Sequence, residues 1–185
     1  PNRTHWNVEY CNEDIKDVYH ELFDDALKRY NDKQTRKDRK IDDYYEKIRS
    51  GKQEKLFHEV ILQIGDKDNM GSGTMEGQLA AKILDEYMKG FQERNPTLRV
   101  FAAHLHLDEA TPHLHIDFIP YVTGSKRGLD TRVSLKQALS SLGFKGGSRS
   151  ETELNQWVQS EKEKLAMVMR ENEIEWEQKG THEPH

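Results

Sequence analysis

The feature that most constrains this chain is residues 99–121, where four of the nine histidines fall within twelve residues. Two apolar, partly β-branched runs, 100–107 and 113–121, carry polar residues at alternating positions, and a loop that contains Thr-Pro separates them. Alternation of this kind on either side of a short loop is typical of two paired strands. The stretch is therefore predicted to form a β-hairpin.

The alternation also decides which side chains share a face. Successive side chains of a strand point to opposite faces, so His104 and His106 lie together, as do His113, His115 and Asp117 on the returning strand. If His106 pairs near His113, all four imidazoles lie on one side of the hairpin. The other face is apolar enough to pack on a core, with Leu105, Leu114, Ile116 and Phe118.

Histidines in this arrangement suit a metal ion. Neutral imidazole binds Mn, Fe, Co, Ni, Cu and Zn, and a His-x-His pair plus a third His from the neighbouring strand gives a three-nitrogen face. Such a face leaves coordination positions open for water or a phosphate oxygen, as a Lewis-acid catalyst requires. Asp108 and Glu109 in the loop are placed to orient an imidazole or to move a proton. Ordinary solvent-exposed strand histidines are the alternative, which their convergence with carboxylates disfavours.

The pattern H-x-D-E-x-T-P-H-x-H at 106–115 resembles the metal motif of the Mob/Pre plasmid mobilisation relaxases, a branch of the HUH endonucleases. A weaker likeness lies at 3–9, where R-x-x-x-N-x-E is similar to the end of the family's Arg-x-x-x-Asn-Tyr-x-Leu motif. Val8 stands where that motif has Tyr, and Tyr10 where it has Leu. The resemblance covers nearly all of the chain, with high specificity only in the hairpin.

The resemblance implies a set of site residues. His106, His113 and His115 would bind one divalent ion, Mn²⁺ in preference to Zn²⁺ or to Mg²⁺, which favours oxygen ligands. Glu109, with Asp108, would activate or orient the attacking nucleophile. Two further histidines stay open: His104 matches no family ligand position and is a fourth ligand or a neighbouring group, and His58 lies beside the site or only in the sheet.

The resemblance also implies a reaction. The chain is expected to be a DNA-nicking endonuclease, a relaxase that cuts single-stranded plasmid or mobile-element origin-of-transfer DNA. The cut would be a transesterification that leaves a 5'-phosphate covalently joined to the protein and a free 3'-hydroxyl. The family's nucleophile belongs to an N-terminal His-x-x-Arg-type motif that this chain does not contain, so we expect the nucleophile upstream of Pro1 and the chain by itself to be incomplete for cleavage. The alternative nucleophiles within it are Tyr10, Tyr44 and Tyr45.

Charge is unevenly distributed along the chain. The formal net charge is -5, yet residues 28–55 carry eleven Lys/Arg against six Asp/Glu, and residues 124–150 carry six against one. Two basic segments of this kind can follow phosphates, although solvated helix faces give the same pattern. The predicted DNA contacts are Arg3 and Asn7 from the weaker motif and Arg127, Arg132, Lys136 and Lys145 from the basic segments.

The order of predicted elements indicates an α+β fold, an antiparallel β-sheet with helices packed on one face, as in HUH relaxases. We expect 1–185 to be a single relaxase-type catalytic domain without its N-terminal motif, with 151–185 as a C-terminal helical segment of the same domain. Helices are predicted at 13–31, 41–49, 74–95, 134–142 and 152–172, and a further strand at 55–65.

Composition excludes several classes of protein. No apolar run approaches the ~20 residues of a membrane span, and the single cysteine, Cys11, excludes an internal disulfide. A cytoplasmic location is therefore expected. The glycine-containing segment 65–73 lacks the Walker pattern, so no nucleotide cofactor is expected. Single-stranded DNA at a transfer origin is the expected partner, with other transfer proteins as further candidates.

Rival functions come from other classes. A cupin-like three-His metal enzyme is suggested by His104-x-His106 followed by Glu109, but the glycines that frame cupin turns are missing. A histidine-triad nucleotide hydrolase would need a third His where Asp117 stands, and a zinc peptidase would need His-Glu-x-x-His. The non-enzyme alternative is a catalytically incomplete DNA-binding fragment.

Overall fold

The structure is a computed structural model that describes residues 7–64, 75–107 and 111–182, with side chains for all of these except 75–76 and 174–182. The strands are β1 Val8–Asn12, β2 His58–Gln63, β3 Leu98–His106, β4 His113–Val122 and β5 Arg132–Val133. The helices are α1 Ile15–Asp32, α2 Tyr44–Ser50, α3 Met75–Lys89, α4 Phe91–Arg94, α5 Leu135–Ser141 and α6 Glu153–His182, with a short 3-10 turn at Lys37–Arg39.

The sheet is antiparallel and has the strand order β1-β3-β4-β2, with the short β5 paired to the far end of β4. The predicted hairpin is confirmed as β3 and β4, and its register places His106 opposite His113 and His104 opposite His115. The strand β1 was not predicted. It is an edge strand whose side chains are exposed or only half-buried, so its sequence lacks the apolar alternation of a covered strand.

One face of the sheet is covered by α3, α5 and α6. Side chains of the apolar hairpin face pack there against Trp157 of α6 and Phe91 of α4, as the alternation predicted. Leu105, Leu114, Ile116 and Phe118 are all at most 1% exposed. The apolar face of the hairpin is therefore fixed against the helices that cover this side of the sheet.

The opposite face carries a second helical layer, so the prediction of helices on only one face was wrong. The apolar stripe of α1, which includes Tyr19 and Phe23, packs with α2 over Phe101 and Ile119 of the hairpin. The physical reason lies along β4, where the residues of this face change from histidine and aspartate to isoleucine and tyrosine towards the end of the strand. Apolar side chains there require a cover that the histidine end does not.

Helix boundaries follow local capping. The Asp14 carboxylate accepts hydrogen bonds from the first turn of α1, so this helix begins at Ile15 and not at the predicted residue 13. Asp43 and Ser134 cap α2 and α5 in the same way. The predicted helix 74–95 is two helices separated at Gly90, and α6 continues ten residues past the predicted end.

A buried polar cluster joins α6 to the start of β3. The Trp157 indole Nε1–H donates to Asn95 Oδ1 at 2.9 Å, and the Asn95 amide donates to Glu161 Oε1 at 2.8 Å. Arg94 completes the cluster through an ion pair with the same carboxylate at 3.2 Å. Hydrogen bonds and charge pairing of this kind satisfy polar groups that burial would otherwise penalise. Among the described residues, no helix is both long enough and apolar enough to cross a membrane.

Candidate active site

The candidate site is the half of the α1–α2 side of the sheet that these helices leave open. We call it the histidine face and define it by His104, His106, His113, His115 and Asp117. All five side chains are half-buried, in contrast to the fully buried residues on the other side of the same strands. The sheet backbone therefore fixes the relative positions of four imidazoles that remain within reach of a ligand.

The imidazoles lie close together. The rings of His106 and His115 have centroids 4.8 Å apart and are nearly perpendicular, at 82°. The centroid distances from His104 to His106 and from His113 to His115 are 6.2 and 6.4 Å. The two closest rings thus come from diagonal positions on neighbouring strands. The alternation of the sequence shows that all four rings share a face, but it does not show that the diagonal pair is closer than a directly opposite pair.

The chemistry of this donor set, several imidazoles with carboxylates nearby, fits a first-row transition metal. In their present positions, however, no three His, Cys, Asp or Glu side chains of the described residues converge as metal ligands. Binding through a third imidazole would therefore require at least one ring to rotate about its side-chain torsions, which half-buried side chains can do. The ligand set remains a prediction.

Carboxylates surround the histidines on both sides. Glu9 on β1 approaches His104 Nδ1 at 3.9 Å, and Glu59 on β2 approaches His115 Nδ1 at the same distance. Burial, together with the Glu59 carboxylate opposite it, raises the pKa of Asp117 to about 7. Glu9 and Glu59 therefore place negative charge beside the histidines, which favours a cation, whereas the raised pKa lets Asp117 hold a proton near neutral pH.

Neither Glu59 nor Glu9 was among the predicted site residues, although Glu9 ends the weaker motif at 3–9 and a signal for Glu59 existed. The side chains of β2 alternate, and Glu59 has the opposite parity to His58, Val60 and Leu62. His58 pairs with Phe118 and stacks on its ring at 6.0 Å, on the side of the sheet away from the histidine face. His58 is thus part of the sheet packing and does not join the site.

Asn7 lies at the rim of the histidine face. Its Oδ1 accepts a hydrogen bond of 2.6 Å from the backbone N–H of Leu107, directly after His106. Asn7 therefore fastens the end of β3 at the site, and its contact with DNA stays a prediction. Three predicted site residues, Arg3, Asp108 and Glu109, lie outside the described residues.

The tyrosines considered as nucleophiles lie away from the histidine face. The Tyr10 hydroxyl donates to Asp85 of α3 at 2.6 Å, and burial raises the pKa of this phenol. The Tyr44 hydroxyl accepts from Val133 N at 3.0 Å, and the Tyr45 ring packs edge-on against Tyr19 at 5.2 Å. All three side chains serve packing or hydrogen bonding in the described structure.

The basic residues predicted to bind DNA are distributed over different surfaces. Lys136 on α5 and Lys145 in the loop after it belong to the helical layer behind the sheet, and both are exposed. Arg132 lies on β5 beside α2, and Arg127 is exposed in the loop that leads to this strand. The structure therefore does not gather the four cations on the histidine face.

Comparison with known proteins gives one match. The family model described as plasmid recombination enzyme, Mob/Pre, matches residues 2–170. No match was found among curated proteins or among solved structures. The matched residues include the whole sheet, both helical layers up to the middle of α6, and every member of the histidine face. The chain therefore belongs to the Mob/Pre plasmid recombination enzyme family.

Proposed function

We propose that this chain is the metal-dependent core of a DNA relaxase that nicks one strand of plasmid origin-of-transfer DNA by transesterification. The observation that carries the proposal is the placement of His106, His113 and His115 with a fourth imidazole on one open sheet face. Membership of a plasmid recombination enzyme family supports DNA as the substrate. The reaction and the metal dependence are our inference.

His106, His113 and His115 would hold the ion, with Mn²⁺ as our preferred metal. When bound, the ion would offset negative charge that develops on the oxygens of the scissile phosphate. Glu59 supports this arrangement because its carboxylate, 3.9 Å from His115 Nδ1, can fix the orientation of that ring. Glu9 stands in the same relation to His104, and we propose His104 as a fourth ligand or as a group that neighbours the ligands.

The shape of the histidine face favours a single strand of DNA. It is bounded by the α1–α2 layer at one end, and four strands about 4.8 Å apart make it roughly 14 Å wide, so one unpaired backbone fits across it. Ile61 on the edge strand β2 is 55% exposed and pairs with His115 across the sheet. An exposed apolar side chain beside the metal ligands gives a base or sugar a surface to pack on.

The attacking group is proposed to be a protein side chain other than Tyr10, Tyr44 and Tyr45, because each of these hydroxyls or rings is engaged elsewhere. Glu109 and Asp108 are our candidates for activating or orienting it. As the side chain bonds to phosphorus, the bond between phosphorus and the 3'-oxygen of the preceding nucleotide breaks. That oxygen takes a proton and leaves as a free 3'-hydroxyl, so the 5'-phosphate is retained on the protein.

A covalent-adduct assay tests this function. The wild-type chain and His113→Ala would each be incubated with labelled single-stranded origin DNA, with and without Mn²⁺. We expect a DNA-linked band that requires both Mn²⁺ and His113. Undiminished adduct in His113→Ala would refute the metal assignment, and absence of any adduct would leave a DNA-binding fragment as the better description.

A further inference from the structure

A pocket of about 650 Å³ lies between α2, the segment after it and the loop that leads to β5. Its volume falls in the range of small-molecule sites, about 300–1,000 Å³. The walls combine aromatic and apolar side chains with one carboxylate and three cations. The lining residues that could contact a ligand through a ring or a charge are Tyr30, Tyr44, Lys47, Lys52, Glu54 and Arg132.

The cations of the pocket differ from the neighbouring arginines because none of them forms a salt bridge in the described structure. Arg49 on the outer side of α2 is paired with Glu46, and Arg29 is paired with Asp130. Within the described part of the chain, Lys47 and Lys52 form no ion pair, and Arg132 donates only to the Ser125 hydroxyl at 2.9 Å. Glu54 lies in the same pocket and interacts electrostatically with Arg132, so three cations and one carboxylate leave a net positive charge that attracts an anion.

The carboxylate of the pocket retains acceptor capacity. Glu54 is half-buried, and its one hydrogen bond in the described structure is a long one of 3.5 Å from Leu135 N. A carboxylate has about four lone-pair sites, so Glu54 can accept two parallel N–H bonds from a ligand. The half-buried ring of Tyr30 lines the same space and offers a flat apolar surface to a planar group, and the buried ring of Tyr44 forms part of the wall.

We propose that this pocket binds one guanine nucleotide of the DNA strand, with the base edge on Glu54 and the phosphate near Lys47, Lys52 and Arg132. Guanine presents two adjacent N–H donors on its Watson–Crick edge, which match a carboxylate, whereas thymine presents one. That the nucleotide belongs to a DNA strand rests on the proposed function. A free guanine mononucleotide would make the same contacts with the pocket.

The pocket lies on the same side of the sheet as the histidine face. Val133 pairs with Tyr121 of β4, whose side chain shares the face of His115 six residues earlier. Six strand residues span about 20 Å, which a bound single strand of ~4–16 nucleotides can bridge. One DNA strand can therefore occupy both the pocket and the metal site, and the pocket would set which bond is presented to the metal.

Fluorescence anisotropy with two 16-nucleotide probes, all-thymine and alternating thymine–guanine, tests the proposal. We expect the wild-type chain to prefer the guanine probe about tenfold, since a bidentate base contact discriminates on that scale, and Glu54→Gln to lose the preference. Lys47→Gln with Lys52→Gln should weaken both probes about tenfold and lower the salt slope by about 1.4. Ser50→Trp, which narrows the pocket without changing charge, should weaken the guanine probe.

The matched control is Lys37→Gln with Lys40→Gln, which removes two charges from the exposed 3-10 turn outside the pocket. Pocket variants that bind both probes like this control would overturn the proposal, while metal-dependent nicking by the same preparations would leave the proposed function intact. If the wild-type chain binds neither probe, DNA is not the ligand and the proposed function fails as well. Saturable dGMP binding that Glu54→Gln abolishes would then assign the pocket to a free nucleotide.

Discussion

The rings of His106 and His115 approach each other at 4.8 Å and 82° from diagonal positions on two neighbouring strands. This pair is closer than either of the His-x-His pairs within a single strand. The metal site is therefore expected to be centred between the strands, where both sides of the hairpin contribute.

Replacement of His115 by Ala is expected to weaken Mn²⁺ binding by roughly 100-fold or more, exceeding the 10–100-fold that loss of an outer-shell partner typically causes. The free-ion signal of Mn²⁺ in electron paramagnetic resonance measures the affinity without reference to activity. Saturating Mn²⁺ should also raise the melting temperature of the wild-type chain but not of the variant. His20→Ala is the matched control because His20 is exposed on α1 and paired with Asp24. Equal Mn²⁺ affinity in both variants would contradict the assignment.

Asn7 should act through the backbone of β3. Asn7→Ala removes the acceptor for Leu107 N–H, so the strand end that carries His106 is expected to loosen and Mn²⁺ affinity to fall by about tenfold. Asn7→Asp keeps an acceptor oxygen at this position and should retain most of the affinity. Isothermal titration calorimetry of the two variants makes the comparison. If Asn7→Asp lowers Mn²⁺ affinity as much as Asn7→Ala does, the hydrogen bond is not what positions the strand.

The buried cluster between α6 and β3 is expected to contribute strongly to stability. Asn95→Ala leaves the Trp157 indole and the Glu161 carboxylate without their shared partner in a buried environment, at a cost of about 1–3 kcal/mol in the free energy of unfolding. Urea denaturation measures the change. The control, Asn155→Ala, affects an exposed amide on the same helix and should cost less than about 0.5 kcal/mol. Similar midpoints for the two variants would show that the cluster is not stabilising.

His58 makes stability depend on pH in a direction opposite to His20. Burial, reinforced by Lys55, lowers the pKa of His58, so the unfolded chain binds its proton more readily. His58 does not lower the free energy of unfolding above pH about 6.5. Below this pH it lowers the free energy of unfolding increasingly, as pH falls through the lowered pKa. His58→Gln should therefore lose less stability than the wild type between pH 7 and pH 5 in urea titrations.

The comparison variant for this pH effect is His20→Gln. The His20 Nδ1–H donates a hydrogen bond to the Asp24 carboxylate, which raises the pKa of His20. The small stabilisation from this pair is full below pH about 6.5 and is lost as pH rises through the raised pKa. His20→Gln should lose slightly more stability than the wild type on acidification. The contribution is small because both side chains are exposed to solvent. Parallel pH profiles for the two variants would contradict the prediction.

The sequence by itself determined the hairpin and its two faces. Strand side chains alternate with a period of two, so the placement of His104, His106, His113 and His115 on one side and of Leu105 and Leu114 on the other follows from their spacing. Caps such as Ser134 and the stripe of α1 are equally local signals. The motif at 106–115 carried enough specific positions to indicate the family that the match to residues 2–170 shows.

Only the tertiary structure decided what surrounds those histidines. Pairing of β1 and β2 with the hairpin brings Glu9 and Glu59 beside the imidazoles. The alternation of β2 gives the face on which Glu59 lies, but no local pattern in either segment gives the strand with which it pairs. The same is true of the second helical layer, which divides one sheet face into a covered half and an open half, and of the pocket between α2 and β5. These features depend on which apolar surfaces meet, and that is a property of the packed chain.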